Sequence, residues 1–270
     1  MKPIYIVSWL FALAVSFVSC DDWLDKTPKD RLYPDVYFKT EDELRLFTNQ
    51  FYNNLVPSAV DIYSESSDLI VKSDLMLEMS GQRIIPDEGN GWNFTALRDI
   101  NFYLQYSHNC TEVNARNRYD GVARFFRAYF YFEKVKRYGD IPWYDKALDS
   151  DDPELYKARD SREFVMQKML EDLDFAIANL PKTKNAYVLT RWTALALKSR
   201  VCLFEGTFRK YHGLEDCEKY LNACVSASET FMNESGYTLY KSGSTPYRDL
   251  FASINLQADE VIFGRDYEAS

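Results

Sequence analysis

The chain has 270 residues, 46% of them hydrophobic, and its 41 acidic against 32 basic side chains give a formal charge of −9. That balance excludes the basic surface on which a nucleic-acid ligand depends, so no nucleic-acid partner is expected, while neutral ligands stay open. The length is enough for a sizeable core, as one large domain or two small ones.

The chain opens with Lys2 and an apolar stretch from Ile4 to Val18 broken by Ser8 and Ser16, then reaches Cys20 through Phe17-Val18-Ser19. This is a secretory layout, and residues 1–19 read as a signal peptide. The run is shorter than the roughly 18–20 residues a membrane-crossing helix needs. A small residue before a cysteine at the end of the apolar region looks like a bacterial lipobox, which makes Cys20 the lipid anchor. The alternative is an ordinary signal peptide with an incidental cysteine. Asp21, Asp22 and Asp25 follow, so residues 20–39 read as anchor and acidic tether, either a solvated linker or a signal for export to the outer face.

Residues 40–270 read as one mostly α domain. Thr40 and Glu43 have the form of a capping box, and Leu44, Phe47, Phe51 and Leu55 form an apolar stripe ending before Pro57. From Ala59 to Asn93 the pattern dissolves into a long surface segment, and long irregular segments of this kind are usually functional or covered by other elements. Leu97, Ile100, Asn101 and Leu104 mark a second helix. A third runs through Val122, Phe125, Phe126, Tyr129, Phe132 and Val135 to a stop at Gly139 and Pro142. Being aromatic on nearly every side, it should sit centrally, with neighbours on several faces.

After an acidic loop from Asp145 to Glu154, Asp160 and Glu163 are expected to cap a fourth helix with Val165, Met169, Leu173, Ala176 and Ile177 inward. Thr190 begins a fifth through Ala194, Leu197, Val201, Phe204 and Phe208. Beyond Gly213 a sixth carries Leu221, Cys224, Ser228 and Phe231. The last three helices look like stacked hairpins of the tetratricopeptide type, without a clean period of about 34 residues. Val261-Ile262-Phe263 reads as a short strand with no obvious partner, leaving an apolar edge exposed.

Cys110, Cys202, Cys217 and Cys224 contain no CxxC pair and read as small core hydrophobes. On one helix, Cys217 and Cys224 would be separated by about 10 Å of rise, too far for a disulfide. His108 and His212, the only histidines, read as polar helix-end residues. There is no HExxH, no Gly-rich phosphate loop and no serine elbow, so neither a cofactor nor a catalytic constellation is expected. Carboxylate pairs for glycoside hydrolysis stay open. The acidic loop lacks the ordered spacing and central glycine of a calcium loop and reads as solvated. With 20 Tyr, 18 Phe and 5 Trp the chain has flat apolar faces in quantity, mostly at core spacing. Arg83, Asn90 and Trp92 lie outside the helices and are the candidate ligand-binding residues, although Trp92 also suits a scaffold role.

Several blocks together resemble the SusD/RagB family. They are Trp92 with Leu97-Arg98-Asp99-Ile100-Asn101 and Leu104, then Arg124 to Phe132, then Lys136-Arg137-Tyr138-Gly139-Asp140-Ile141-Pro142-Trp143. Arg159-Asp160-Ser161 with Asp172-Leu173, Leu180-Pro181, and Ala194 to Arg200 leading into Leu203-Phe204-Glu205-Gly206 complete the set. The resemblance implies tetratricopeptide-like helical hairpins with long irregular ligand-site loops. It further implies a lipoprotein, lipid-anchored in the outer membrane and facing the cell exterior, that delivers glycans, or peptides in the RagB branch, to a SusC-like TonB-dependent transporter. Family members usually run considerably longer, so residues 40–270 are expected to be the N-terminal α-helical domain, truncated at the C-terminus. The rival readings are a surface-anchored glycoside hydrolase and a helical-repeat adaptor without a small ligand.

Overall fold

The structure, a computed structural model, describes residues 37–57, 77, 80–84, 91–257 and 259–265. The signal peptide, Cys20, the three tether aspartates and Asn90 lie outside them. One compact unit begins at Phe38.

Helix α1 spans Glu41–Leu55, and its first turn is closed as the capping box requires. Glu43 N–H donates to Thr40 Oγ1 at 3.3 Å while Thr40 N–H donates to the Glu43 carboxylate at 3.1 Å. Leu44, Thr48 and Phe51 are its buried positions. Just before it, Phe38 is wholly buried at φ +65°, an unusual conformation for a bulky residue. Its ring lies 5.0 Å from Phe47 and 5.5 Å from Tyr103 edge-on, so aromatic packing offsets the backbone cost.

Helix α2 spans Thr95–Tyr106 and helix α3 spans Val113–Tyr138. α3 ends at Gly139, where φ +71° lets the N–H of that residue donate back to Val135 O at 3.0 Å. Its buried positions include Val122, Phe125, Phe126, Phe130, Tyr131 and Phe132, which fall on every side of the cylinder. The consequence is the expected central place: α3 packs against α1, α2, and the two helices that follow the loop.

Those are α4, Arg162–Asn179, and α5, Arg191–Tyr211; α6, Cys217–Glu234, packs on α5, and a short α7 spans Pro246–Ala252. Successive packing of α4 on α5 and α5 on α6 is the stacked arrangement expected of the last three of the six helices, and α3 packs on α4 ahead of them. Thr190 caps α5 as expected. The cap of α4 is Ser161, whose Oγ accepts from Phe164 N–H at 3.3 Å, rather than Asp160. Asp160 is drawn instead into the preceding loop, where its carboxylate accepts from Trp143 N–H at 2.7 Å.

Two further expectations need correction. Cys110 and Cys202 are buried, but Cys217 and Cys224 are only half-buried, because α6 presents few residues to the interior; none of these four forms a disulfide. Val261-Ile262-Phe263 forms no strand. Ile262 packs against Trp192, Leu195 and Ala227, Gly264 N–H donates to Ala186 O at 2.8 Å, and the Phe263 ring lies 6.1 Å from Tyr52. Apolar burial against helices takes the place of strand pairing. His108 and His212 do sit at helix ends, with each Nδ1 against a backbone carbonyl of the preceding turn.

The α5–α6 contact closes on Gly206, where a Cβ would lie 2.7 Å from the Leu221 side chain and 3.1 Å from its backbone nitrogen. Gly→Ala inside a helix ordinarily adds stability. At this position we expect the opposite, a loss of about 1–3 kcal/mol from overpacking, read as a lower urea midpoint for Gly206→Ala. A variant as stable as the parent would show that the two helices are not in this contact.

Candidate functional site

The loop between α3 and α4 is stitched to the helical core from several sides. At its base Ile141 and Asp160 form an isolated antiparallel bridge, with Ile141 N–H donating to Asp160 O at 3.2 Å. Next to it the buried Trp143 ring stacks on Tyr131 of α3 at 4.2 Å. Tyr144 N–H donates to the Tyr131 hydroxyl oxygen at 2.6 Å. From α2, Asn101 Nδ2 donates to Tyr144 O at 2.8 Å and to Lys146 O at 3.3 Å, and Arg98 Nε donates to Leu148 O at 3.1 Å. The loop has no ladder of its own, so these side chains set its backbone path.

The Asn101 amide is itself oriented by a buried chain of polar groups. Arg127 of α3 donates to Asn101 Oδ1 at 3.2 Å and, through Nε and a second guanidinium nitrogen, to both oxygens of Asp172 on α4 at 2.6 and 2.8 Å. A bidentate guanidinium–carboxylate pair fixes geometry as well as charge. One continuous path of hydrogen bonds therefore runs from α4 through α3 and α2 to the backbone of Tyr144 and Lys146.

Between this loop and the start of α2 lies a cleft of about 580 Å³. Trp92, Phe94 and Tyr144 give it three aromatic walls. Phe94 lies 5.3 Å from Trp92 and 5.8 Å from Tyr144, both edge-on, so the rings present faces at different angles to the same space. Trp92 is held from behind by Tyr138 at 4.9 Å and is still 40% exposed. Lys134 of α3 donates to Gly91 O, tying the segment before Trp92 to the core.

Four cationic side chains, Arg98, Lys146, Lys157 and Arg159, also line the cleft, and no carboxylate is among its described lining residues. The Arg159 guanidinium lies 5.1 Å over the Trp92 ring, and the Lys157 ammonium 5.0 Å over Tyr144. Three of the cations have acidic neighbours on the outer side: Lys157 with Asp160 at 3.0 Å, Lys146 with Glu154 at 2.9 Å, and Arg98 with Asp149 at 3.8 Å. The hydrogen bond from Lys146 to Glu154 holds its ammonium above the ordinary lysine range. Burial, helped by Asp160 and Glu154, pushes the Tyr144 phenol up, so at neutral pH it remains a hydroxyl able to donate. Chemically the cleft offers stacking faces, hydrogen-bond donors and positive charge.

Of the residues singled out from sequence, Trp92 lines the cleft, and its packing against Phe94 and Tyr138 gives it the scaffold role as well. Arg83 is exposed and does not line it. Asn90 lies outside the described residues. Missed were Tyr144, Lys146, Lys157 and Arg159, of which Lys146 lies within the Asp145–Glu154 stretch expected to be acidic and solvated and the others flank it. The alternation of aromatic and basic residues between Trp143 and Arg159 was the available signal. A second cavity of about 470 Å³, between Pro57, Phe125, Phe126, Leu197 and Val261–Phe263, is apolar and lies where the last described segment packs on α3 and α5.

Comparison with known proteins agrees with this architecture. Residues 59–191 match a SusD-like family model described as "Starch-binding associating with outer membrane". The chain is 24% identical to SusD-like protein P38 of Formosa agariphila over 226 residues, covering 76% of this chain and 43% of that protein. A crystal structure of a SusD-like protein from Bacteroides fragilis superposes with a TM-score of 0.66 at 21% identity, covering 90% of this chain and 48% of that one. A laminarin-binding SusD-like protein superposes with a TM-score of 0.52 at 18% identity, covering 63% and 35%. These matches make the chain similar to SusD-like proteins, and its all-helical described part has their fold. The chain spans about half the length of the curated relatives it matches.

Proposed function

We propose that this chain is the glycan-binding part of an outer-membrane lipoprotein, which holds oligosaccharide at the cell surface and passes it to a SusC-like TonB-dependent transporter. Cys20 is the lipid anchor in this reading, and the aspartates after it direct the protein to the outer face. The family model's description supports association with starch and with the outer membrane. No helix among the described residues is long and apolar enough to cross a membrane, which leaves attachment to a segment outside them.

The observation that carries the glycan assignment is the aromatic cleft built around Trp92. A pyranose presents C–H faces that stack on flat rings and hydroxyls that accept from fixed donors, and a cleft of this volume walled by three rings offers both. Saccharide is favoured over peptide because the walls are ring faces rather than an exposed strand edge. Its described lining side chains provide no pair of carboxylates on either side of a scissile bond, so the cleft suits holding a sugar rather than cleaving it.

Titration of the purified chain with a panel of defined oligosaccharides tests the reading. We expect saturable binding by at least one member, quenching of tryptophan fluorescence, and a loss of about tenfold or more in affinity, roughly 1.4 kcal/mol, on Trp92→Ala. Circular dichroism of the variant should keep the parent's helical content. Saturable binding that is unchanged in a folded Trp92→Ala chain would place the sugar site elsewhere.

A further inference from the structure

We infer that the Trp92 cleft selects acidic saccharides, those carrying a carboxylate or a sulfate ester, with the anionic group seated on Arg159. This rests on the reading of the cleft as the glycan site and names the class of sugar it takes.

The argument begins from a local reversal of charge. The chain as a whole is strongly acidic, at −9, yet among the described residues the cleft lining contains four cations and no carboxylate. Stacking a neutral sugar needs none of them. Three of the four are partly compensated by acids outside the cleft. Arg159 is not: it has no carboxylate partner among the described residues, and its guanidinium is held by the Trp92 face alone. A guanidinium fixed by stacking keeps its in-plane N–H donors available, in the fork geometry that matches a carboxylate or sulfate oxygen pair.

The helix at the cleft wall acts in the same direction. α2 starts at Thr95, which lines the cleft; the neutral Asn93 side chain accepts from Thr95 N–H at 2.8 Å, the cap residue Phe94 supplies no side-chain acceptor, and no acidic residue stands in the first turn. The positive end of the α2 dipole thus adds to the field of Arg159 with no carboxylate of its own turn to offset it. A sugar ring stacked on Trp92 would hold a substituent beside the cation lying over that same ring. Aromatic face and cation form one subsite, with the ring read by Trp92 and the charge by Arg159.

The test uses matched probes that differ only in charge. Short oligogalacturonides are compared with the same oligomers methyl-esterified, and a sulfated galactan oligomer with its desulfated form, by calorimetric titration at low and high salt. We expect the acidic member of at least one pair to bind about ten- to a hundredfold more tightly, the range of a hydrogen bond to a charged group, with affinity falling as salt rises. The pair that responds separates carboxylate from sulfate recognition. Arg159→Ala should erase the preference, bringing the acidic and neutral members of the responding pair to the same affinity, and Arg159→Lys should restore part of it. Equal affinity within both pairs, with binding still lost on Trp92→Ala, would overturn the charge inference and leave the sugar site standing. Binding that ignores Trp92, or no saturation by any probe, would remove the site and the inference together.

Discussion

Asp172→Ala is expected to lower the midpoint of thermal unfolding by about 6–20 °C and to weaken sugar binding although Asp172 touches no part of the cleft. The carboxylate is 3% exposed and faces the Arg127 guanidinium, 9% exposed, through two hydrogen bonds of 2.6 and 2.8 Å. Removing it strands a guanidinium in the interior, and breaking a buried pair on one side costs about 3–5 kcal/mol. For a domain of this size each kcal/mol moves the midpoint by roughly 2–4 °C. Arg124, whose guanidinium is 3.8 Å from the same carboxylate, loses an ionic neighbour too, but at 36% exposure it keeps access to water.

The effect on binding follows from where the pair leads. Arg127 orients Asn101, and Asn101 holds the carbonyls of Tyr144 and Lys146 that form one wall of the cleft. Stability and cleft geometry can be separated with the double variant Arg127→Met, Asp172→Leu. Replacing a buried pair by apolar side chains of similar volume is often neutral or stabilising, so its melting point should return toward the parent's. Its affinity should not, because Asn101 has lost its donor. If Asp172→Ala melts within about 1 °C of the parent, the pair does not have the buried role assigned to it.

How far the fold could be read in advance depended on whether a signal was local. Thr40 and Glu43 lie three residues apart, and the capping box they announce is present with both reciprocal bonds. The aromatic distribution along α3 required neighbours on all sides, and it has them. Asp160 carried an equally good local signal and was claimed by Trp143 instead, because a buried loop backbone left an N–H that needed an acceptor. Val261-Ile262-Phe263 has strand composition, but Ile262 packs against Trp192, Leu195 and Ala227, and the backbone bonds on either side of it, Thr238 N–H to Asp259 O at 2.9 Å and Gly264 N–H to Ala186 O at 2.8 Å, do not extend into a ladder. β-propensity describes a fit to a pleated surface, and packing against helices overrides it.

The cleft was legible only in Trp92. Phe94 and Arg98 stand close to it in sequence, but Tyr144, Lys157 and Arg159 come from about 50 positions or more further along the chain, and reach Trp92 only because Asn101, Arg98 and Tyr131 fold the loop back over α2. Counting charges along the sequence makes this loop acidic. Folding sorts them: the carboxylates of Asp149, Glu154 and Asp160 do not line the cleft, while the cations of Lys146, Lys157 and Arg159 do. A sum along the chain does not see that separation, which exists only after the Ile141–Asp160 bridge pinches the loop.

Cys20→Ala is expected to move the protein entirely out of the membrane fraction, or to leave it unprocessed with its leader attached, and to abolish incorporation of labelled fatty acid. The stretch from Ile4 to Val18 is too short and too interrupted to serve as a permanent span, for which roughly 20 residues are needed. On the proposed reading of Cys20 as lipid anchor, attachment falls to acyl chains on the cysteine that follows Ser19. Each buried methylene contributes about 0.8 kcal/mol, and two or more chains together make release negligible, so losing them should change localisation from complete to none rather than by degrees. Sugar binding by the solubilised variant should be unchanged, since the cleft is built from residues between Trp92 and Arg159. That pairing of outcomes separates presentation from recognition. A Cys20→Ala protein that still takes up labelled fatty acid and stays wholly with the outer membrane would mean that another residue carries the anchor.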